Sequence, residues 1–312
     1  MTTNFVDMPP QFSGGATPVL GPGMSYALDN AAPQAVDRMN ALAEMFDVGT
    51  IRHLESLGVT SGWRCLEVGG GGGSIAAWLS ERVEPTGQVV VTDINTRFLE
   101  RLKGPNLEVV QHNIVTDPLP ERSFDLIHAR LVLMHLPERD SVLARLVGAL
   151  KPGGWLLDEE FDVTALLADR ELSPIDEVMK TEAAMVRVLT DRGVEMRFGR
   201  LLYGQLRSLG LTDVNSEARL SMVGGRSAGG TFVRSAFEQL REAMIAGGHI
   251  TAEEYARDIK RLDDPNFATT SPTLWAAWGR LPSSPLTLWR FPFEHDSAST
   301  VASEEGERDA AN

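Results

Sequence analysis

The sequence predicts an α/β protein built on a mostly parallel sheet with helices on both faces. Apolar stretches short enough to be buried strands recur between residues 63 and 161: "WRCLEV", "GQVVVTDI", "NLEVVQHNI", "SFDLIHAR" and "WLLDEEF". Segments of helical spacing lie between strands, and that alternation calls for right-handed crossovers between parallel strands. The third observation is a run of five glycines, Gly69 to Gly73, between the first strand and the helix "SIAAWLSERV". In a parallel sheet, ligands bind at the carboxyl ends of the strands, where this turn falls.

In chain order, residues 1–33 are rich in Pro, Gly and small polar residues and read as a loose arm. Phe5, Phe12 and Tyr26 make that arm apolar enough to fold over a site. Val36, Met39, Leu42, Met45 and Phe46 recur at spacings of three and four, which marks a helix. A second helical set, "TIRHLESLG", ends at Gly58 as a C′ residue. "NTRFLERLKG" is expected as a helix after the second strand, and "ERDSVLARLVGALKPGG" contains one after the fourth. Past the fifth strand, "SPIDEVMKTEAAMVRVLTDRG" places Ser173 at an N-cap, Pro174 at the first helical position and Gly193 at the stop. "GRLLYGQLRSLG" is a further helix, "DVNSEARLSMV" a strand, and "GGRSAGG" breaks the chain before two more helices. Thr251 with Glu254 opens the second of these as a capping box, and "TLWAAWGRLP" is the last strand. Residues 34–290 therefore read as a single domain with helical additions at 161–198 and 224–270, followed by an acidic tail, 291–312.

Charge and composition narrow the partners. Acids outnumber bases 43 to 29, for a net charge of −14. No dense Lys/Arg cluster is present to displace counterions from phosphates, so nucleic acid is not expected as a partner. The start, "MTTNFVDMPPQF", lacks a basic, then apolar, secretory pattern, and no uninterrupted apolar run reaches the ~18 residues of a membrane span. The single cysteine, Cys65, makes neither an internal disulfide nor a multi-cysteine metal site. A cytoplasmic protein with a small-molecule partner, no membrane partner and no metal is expected, with a homodimer left open.

The glycine run carries the functional reading. Its pattern is Glu67-x-Gly69-x-Gly71-x-Gly73, and the position that a dinucleotide loop of the G-x-G-x-x-G type would fill with glycine is Ser74. No lysine or arginine lies in the loop, and Glu67 would repel a pyrophosphate while suiting a cationic ligand. Asp93 ends the second strand 20 residues past Gly73, where a carboxylate accepts both hydroxyls of a ribose. A ribose without a phosphate, beside a positive charge, describes S-adenosylmethionine.

With these residues in view, the sequence resembles the class I S-adenosylmethionine-dependent methyltransferases. The likeness is greatest to the small-molecule branch that includes quinone-biosynthesis and actinobacterial natural-product enzymes. It spans residues 33–223 and rests on "LEVGGGGGS", "VVVTDI", "HNIVTDPLPERSFDLIHARLVLMHLP" and "LKPGGWLLDEEF", in that order. The resemblance implies a Rossmann-like, seven-stranded sheet whose last strand runs antiparallel, with the helical additions over the active site. It also implies that Gly69, Gly71 and Gly73 line the amino-acid part of the cofactor, with Glu67 behind them through loop amides or a water. Asp93 would hold the ribose, Ile94 and Ile114 would pack on the adenine, and the Asn113 amide oxygen would accept from its exocyclic amine. Ala129 and Arg130 would offer carbonyls to the ammonium. The family often has Asp where this chain has Asn113.

Catalytic and acceptor residues are less sharply marked. His135, after the fourth strand, is either a general base titrating near neutrality or a histidine that bonds a neighbouring loop. Asp158, Glu159 and Glu160 end the fifth strand, with Asp158 and Glu160 on one face and Glu159 on the other. Glu159 and Glu160 are candidate catalytic acids or caps for the next segment, whereas His128 reads as a satisfied core histidine. Tyr26, His135, Phe198 and Tyr203 are candidate walls of an acceptor pocket. The expected function is methyl transfer to an O or N atom of a small, partly apolar or aromatic metabolite, as in natural-product biosynthesis, with carbon methylation also open. The alternatives are an NAD(P)-dependent oxidoreductase, and a cofactor-binding protein without catalysis.

Overall fold

The computed structural model describes residue 28 and residues 32–102, 104–164, 179–265 and 267–283. The expected arm up to residue 27, the Ser173 cap and the acidic tail lie outside the described residues. Nine strands and seven helices are present among those described. The first helix, α1 (Ala35–Ser56), precedes β1 (Arg64–Val68), α2 (Ser74–Val83), β2 (Gln88–Asp93) and β3 (Leu107–Gln111). Then come β4 (Phe124–Arg130), α3 (Arg139–Ala149), β5 (Leu150–Asp162), α4 (Met179–Asp191) and α5 (Phe198–Ser208). The chain closes with β6 (Thr212–Arg219), β7 (Met222–Gly224), α6 (Ala228–Ala246), α7 (Ala252–Arg261), β8 (Ala268–Thr270) and β9 (Thr273–Arg280).

Seven strands form the main sheet in the order β3-β2-β1-β4-β5-β9-β6, while β7 and β8 pair separately. All neighbouring pairs from β3 to β5 are parallel, and β9 runs antiparallel to both β5 and β6. The sheet is the α/β architecture expected, with its seventh strand reversed. Side chains alternate across it. Cys65, Val89, Val91, Leu126 and Leu157 pack with Leu54 of α1 and Leu79 of α2 on one face. Leu66, Val90, Ile127 and Leu156 pack with Leu146 of α3 and Leu202 of α5 on the other. Burial on both faces is what a central parallel strand needs, and β1 is buried at every position.

Three elements differ from the sequence reading. The two helical sets before Gly58 are one continuous helix, α1, and Gly58 follows its end at φ 82°. Gly49 sits inside α1 because the Arg219 guanidinium crosses there: a Cβ would come 1.0 Å from Nη1. Where the expected helix over 95–104 is described, it makes a single 3₁₀ turn, Thr96–Phe98, begun by the Asn95 side chain accepting from the Arg97 N–H. Leu99 and Leu102 of that segment are pulled instead against the glycine turn. Finally, "DVNSEARLSMV" divides into β6 of the main sheet and β7 of the small one.

The later helices fall as expected where they are described. Thr251 and Glu254 form a reciprocal capping box on α7. α6 packs along α1 and α4, so this helical layer is joined to the core through α1.

Candidate functional site

A cavity of about 790 Å³ opens at the carboxyl ends of β1, β2 and β4. Its floor is the glycine turn. Gly69, Gly71 and Gly73 hold φ of 66°, 52° and 82°, a region in which a side chain is strained. The neighbours of the turn differ in kind. A Cβ on Gly69 would meet Val132 at 2.4 Å, one on Gly70 Val91 at 2.2 Å, and one on Gly73 Leu102 at 2.5 Å. The protein's own side chains therefore press on those three. At Gly71 the nearest side chain to such a Cβ is Met39, at 4.0 Å, and at Gly72 it is Met39 again, at 3.4 Å. Gly71 and Gly72 thus leave backbone bare toward the cavity.

Asp93 ties the turn to the next strand. Its Oδ2 accepts the Gly71 N–H at 3.0 Å and its Oδ1 accepts the Asn95 N–H at 2.9 Å. Two carboxylate oxygens offer about four acceptor directions, so Asp93, which lines the cavity, keeps acceptor capacity. Burial raises the Asp93 carboxyl above its ordinary range, against the backbone N–H groups of Asn95, Gly71 and Ile94. Ile94, Asn113, Ile114, Glu67 and Arg130 line the same cavity. The structure thus brings together nine of the ten candidate cofactor residues: Glu67, Gly69, Gly71, Gly73, Asp93, Ile94, Asn113, Ile114 and Arg130. The tenth, Ala129, is buried in the core and does not reach it.

Two of these carry different partners from those expected. Glu67 does not reach the loop amides; its Oε2 bonds His128 Nδ1 at 2.6 Å, because the two residues are in register on adjacent strands. The Asn113 amide oxygen is occupied by the Val115 N–H at 3.0 Å, within its own turn, and Asp117 accepts the Asn113 N–H. That oxygen accepts within its own turn, as Asn side chains commonly do, and keeps one lone pair for a further donor.

The catalytic candidates separate. His135 lines the cavity, but burial, with Arg38 and Arg139 nearby, pushes its imidazole down to about 3. A base titrating near neutrality is not what this residue provides. Glu159 and Glu160 are fully buried and do not line the cavity. Glu160 Oε1 accepts the Val132 and Leu133 N–H groups at 3.0 and 2.6 Å, which fixes the loop after β4. Glu159 points to the opposite face, toward His128, Thr50 and Arg219. His128 is a core histidine, as expected, with both ring nitrogens facing carboxylates.

The expected acceptor walls fare similarly. Phe198 is fully buried in the core under β5, and Tyr203 lies on the outer side of α5 with the Arg207 guanidinium over its ring. Tyr26 lies outside the described residues. Residues that sequence reasoning passed over stand there instead: Arg38, Met39 and Leu42 of α1, with Asp191 and Arg192 at the end of α4. Met39 and Leu42 carried a signal as part of the apolar spacing of α1, but that spacing could not tell core from cavity.

Residues 66–158 match the family model described as a methyltransferase domain. The ubiquinone/menaquinone biosynthesis C-methyltransferase UbiE of Pseudomonas putida is 39% identical over 116 residues, covering 35% of this chain and 45% of the relative. Its namesake from Pseudomonas fluorescens is 36% identical over the same shares. The chain thus spans about half the length of the curated relatives it matches. Among solved structures, a Haemonchus contortus phosphoethanolamine N-methyltransferase 2 in complex with S-adenosyl-L-methionine superposes with TM-score 0.52 at 17% identity, over 84% of this chain and 60% of that one. A complex of Haemonchus contortus phosphoethanolamine N-methyltransferase 2 with phosphomonomethylethanolamine and S-adenosylhomocysteine gives TM-score 0.51 at 19% identity, over 85% and 62%. At such identity the likeness shows the fold.

Proposed function

We propose that this chain, which carries a methyltransferase domain of the class I S-adenosylmethionine-dependent family, binds S-adenosylmethionine in the 790 Å³ cavity and methylates a small, partly apolar acceptor. The single observation that carries the reading is the Asp93 carboxylate, locked by the Gly71 and Asn95 N–H groups beside bare glycine backbone. The residues fit such a ligand. Asp93 has acceptor capacity left for ribose hydroxyls, Ile94 and Ile114 offer apolar surface to a purine, and Glu67 offers a carboxylate to a cation. When bound, S-adenosylmethionine supplies a methyl group on a positively charged sulfur.

What this chain's residues do is hold, orient and exclude water. Positioning supplies much of the rate of an in-line displacement. Leu42, Leu136, Val132 and Pro137 give the acceptor end apolar walls, and Arg38 and His135 stand among them. Burial lowers both imidazoles that line the cavity, His135 to about 3 and His112 below its ordinary value, so neither is poised as a base for the acceptor. The acceptor therefore brings its nucleophilic atom already free: an amine, an ionised phenol or enol, or the electron-rich carbon of such a ring.

Binding calorimetry tests the reading, with S-adenosylmethionine and NADPH titrated into wild type and Asp93→Ala. Wild type is expected to bind the sulfonium compound and not the nicotinamide. The substitution should weaken binding by about 1–3 kcal/mol, the range for a buried polar partner removed. Nicotinamide binding alone would return the site to the oxidoreductases. Cofactor binding without transfer of a labelled methyl to any phenolic or amine acceptor would leave a binding protein.

A further inference from the structure

Behind the glycine turn lies a row of buried charge that methyl transfer itself does not require. Glu67 on β1, His128 on β4 and Glu159 on β5 point to the same face of the sheet. Glu67 is 4% exposed, and His128 and Glu159 are both at 0%. His128 Nδ1 stands 2.6 Å from Glu67 Oε2, and its Nε2 stands 3.4 Å from Glu159 Oε2. Arg219 of β6 reaches across Gly49 to donate to Glu159 Oε1 at 2.9 Å, and Thr50 of α1 donates to Oε2. Charge thus alternates from β1 to β6: carboxylate, imidazole, carboxylate, guanidinium. Only Glu67 touches the cavity.

We propose that His128 is a positioning residue for the cofactor site: clamped by Glu159, it holds one oxygen of Glu67 and so aims the other at the cationic end of the bound ligand. The inference rests on the reading of the cavity as a sulfonium-cofactor site. A carboxylate buried without a partner is costly, and without His128 nothing would hold the Glu67 side chain in this rotamer. A histidine that donates from both ring nitrogens is an imidazolium. Burial opposes that charge, but Glu67 and Glu159 outweigh it and hold the ring at about 9. Other charged groups nearby act through Glu159 or on the ring itself. Arg130 donates to Thr50 and pairs with Asp47 at 2.8 Å, Asp158 is the next residue along β5, and His53 of α1 is kept low by burial.

The test is a double-mutant cycle on S-adenosylmethionine affinity, using wild type, Glu67→Gln, His128→Asn and the pair. Each single change is expected to weaken binding by roughly tenfold or more, the scale of a buried polar group left without its partner. The double variant should bind no worse than Glu67→Gln, since His128 acts only through Glu67, and KM for the acceptor should stay within about threefold. Additive losses, or an unchanged His128→Asn, would overturn the proposal. A readout that needs no variant is the ¹⁵N spectrum of the histidine rings in the ligand-free wild type at pH 7.5: a doubly protonated His128 is expected, and a neutral ring refutes the clamp. Failure of the wild type to bind the cofactor would instead remove the functional reading, leaving the ring's protonation to be judged alone.

Discussion

Neighbouring residues of β5 sit in opposite electrostatic states. On the α1 and α2 face, Glu159 accepts from Thr50 and Arg219 and faces His128, and these partners overcome burial to hold its carboxyl at about 2. On the α3 and α5 face, Asp158 is equally buried, yet neither of its oxygens has a hydrogen-bond partner among the described residues. Burial pushes its carboxyl up, and pushes Glu160 two residues on up as well. The difference teaches that burial sets the cost of a charge and partners decide whether it is kept. One face of the strand holds a charged row tied to the ligand cavity; on the other, burial raises both acids, and Glu160 alone fixes the loop after β4.

The largest expected effect comes from breaking the charged side. Glu159→Ala leaves His128 and Arg219 without their shared carboxylate, and removal of one partner from a buried ion pair costs about 3–5 kcal/mol. Urea unfolding should show that loss as a shift in midpoint with little change in slope. A loss below about 1 kcal/mol would mean that water already reaches the row, and the contrast between the two faces would dissolve.

The pH dependence of stability sharpens the same contrast. Glu159 has a depressed pKa, so its contribution is present above the ordinary carboxylate range and is lost as pH falls toward about 2. His128 has a raised pKa, so its contribution is complete below about 6.5 and is lost as pH rises through about 9. Asp158 is raised too, so its contribution is complete below the ordinary value near 4 and is lost as pH rises from there to about 8. Loss of stability toward acid therefore belongs to the charged face, while loss on rising pH comes from both faces, from Asp158 between about 4 and 8 and from His128 up to about 9. Thermal midpoints measured from pH 3 to 10 should drop as pH rises from about 4 to about 9, and Asp158→Asn should flatten the part of that drop below about 8 while leaving the loss toward acid in place.

Much of this arrangement could be read from the chain, and its limits are physical. Strand alternation, the glycine turn and Asp93 are local patterns, so the parallel part of the sheet and the floor of the cavity followed from spacing, whereas the reversed strand and the places of Ile94, Asn113, Ile114 and Arg130 came through the family resemblance. The contact between Glu67 and His128 joins residues 61 positions apart and exists only because β1 lies between β2 and β4. Periodicity assigned Glu159 to its own face but could not say what would meet it there. Phe198 and Tyr203 show the same limit for helices: amphipathic spacing marks a buried stripe, and docking alone decides whether the stripe meets core, cavity or solvent. The segment 95–104 failed for another reason. Its helical spacing was real, but Leu99 and Leu102 found more burial against the glycine turn than a free helix would give them.

The smallest expected effect tests the neutral side. Near pH 4, where Asp158 is protonated in the fold and only beginning to ionise in the unfolded chain, Asn in its place changes neither charge nor size much, and stability should move by about 0.5 kcal/mol or less. Glu160→Gln should be nearly as mild, since an amide oxygen still accepts the Val132 and Leu133 N–H groups. Glu160→Ala, by contrast, leaves both loop amides without their acceptor and should loosen Val132 and His135 at the cavity wall, weakening cofactor binding more than it lowers the unfolding midpoint. A loss above about 2 kcal/mol for Asp158→Asn would show that this acid is ionised in the fold and has a partner of its own, and the two faces of β5 would then differ in geometry but not in charge.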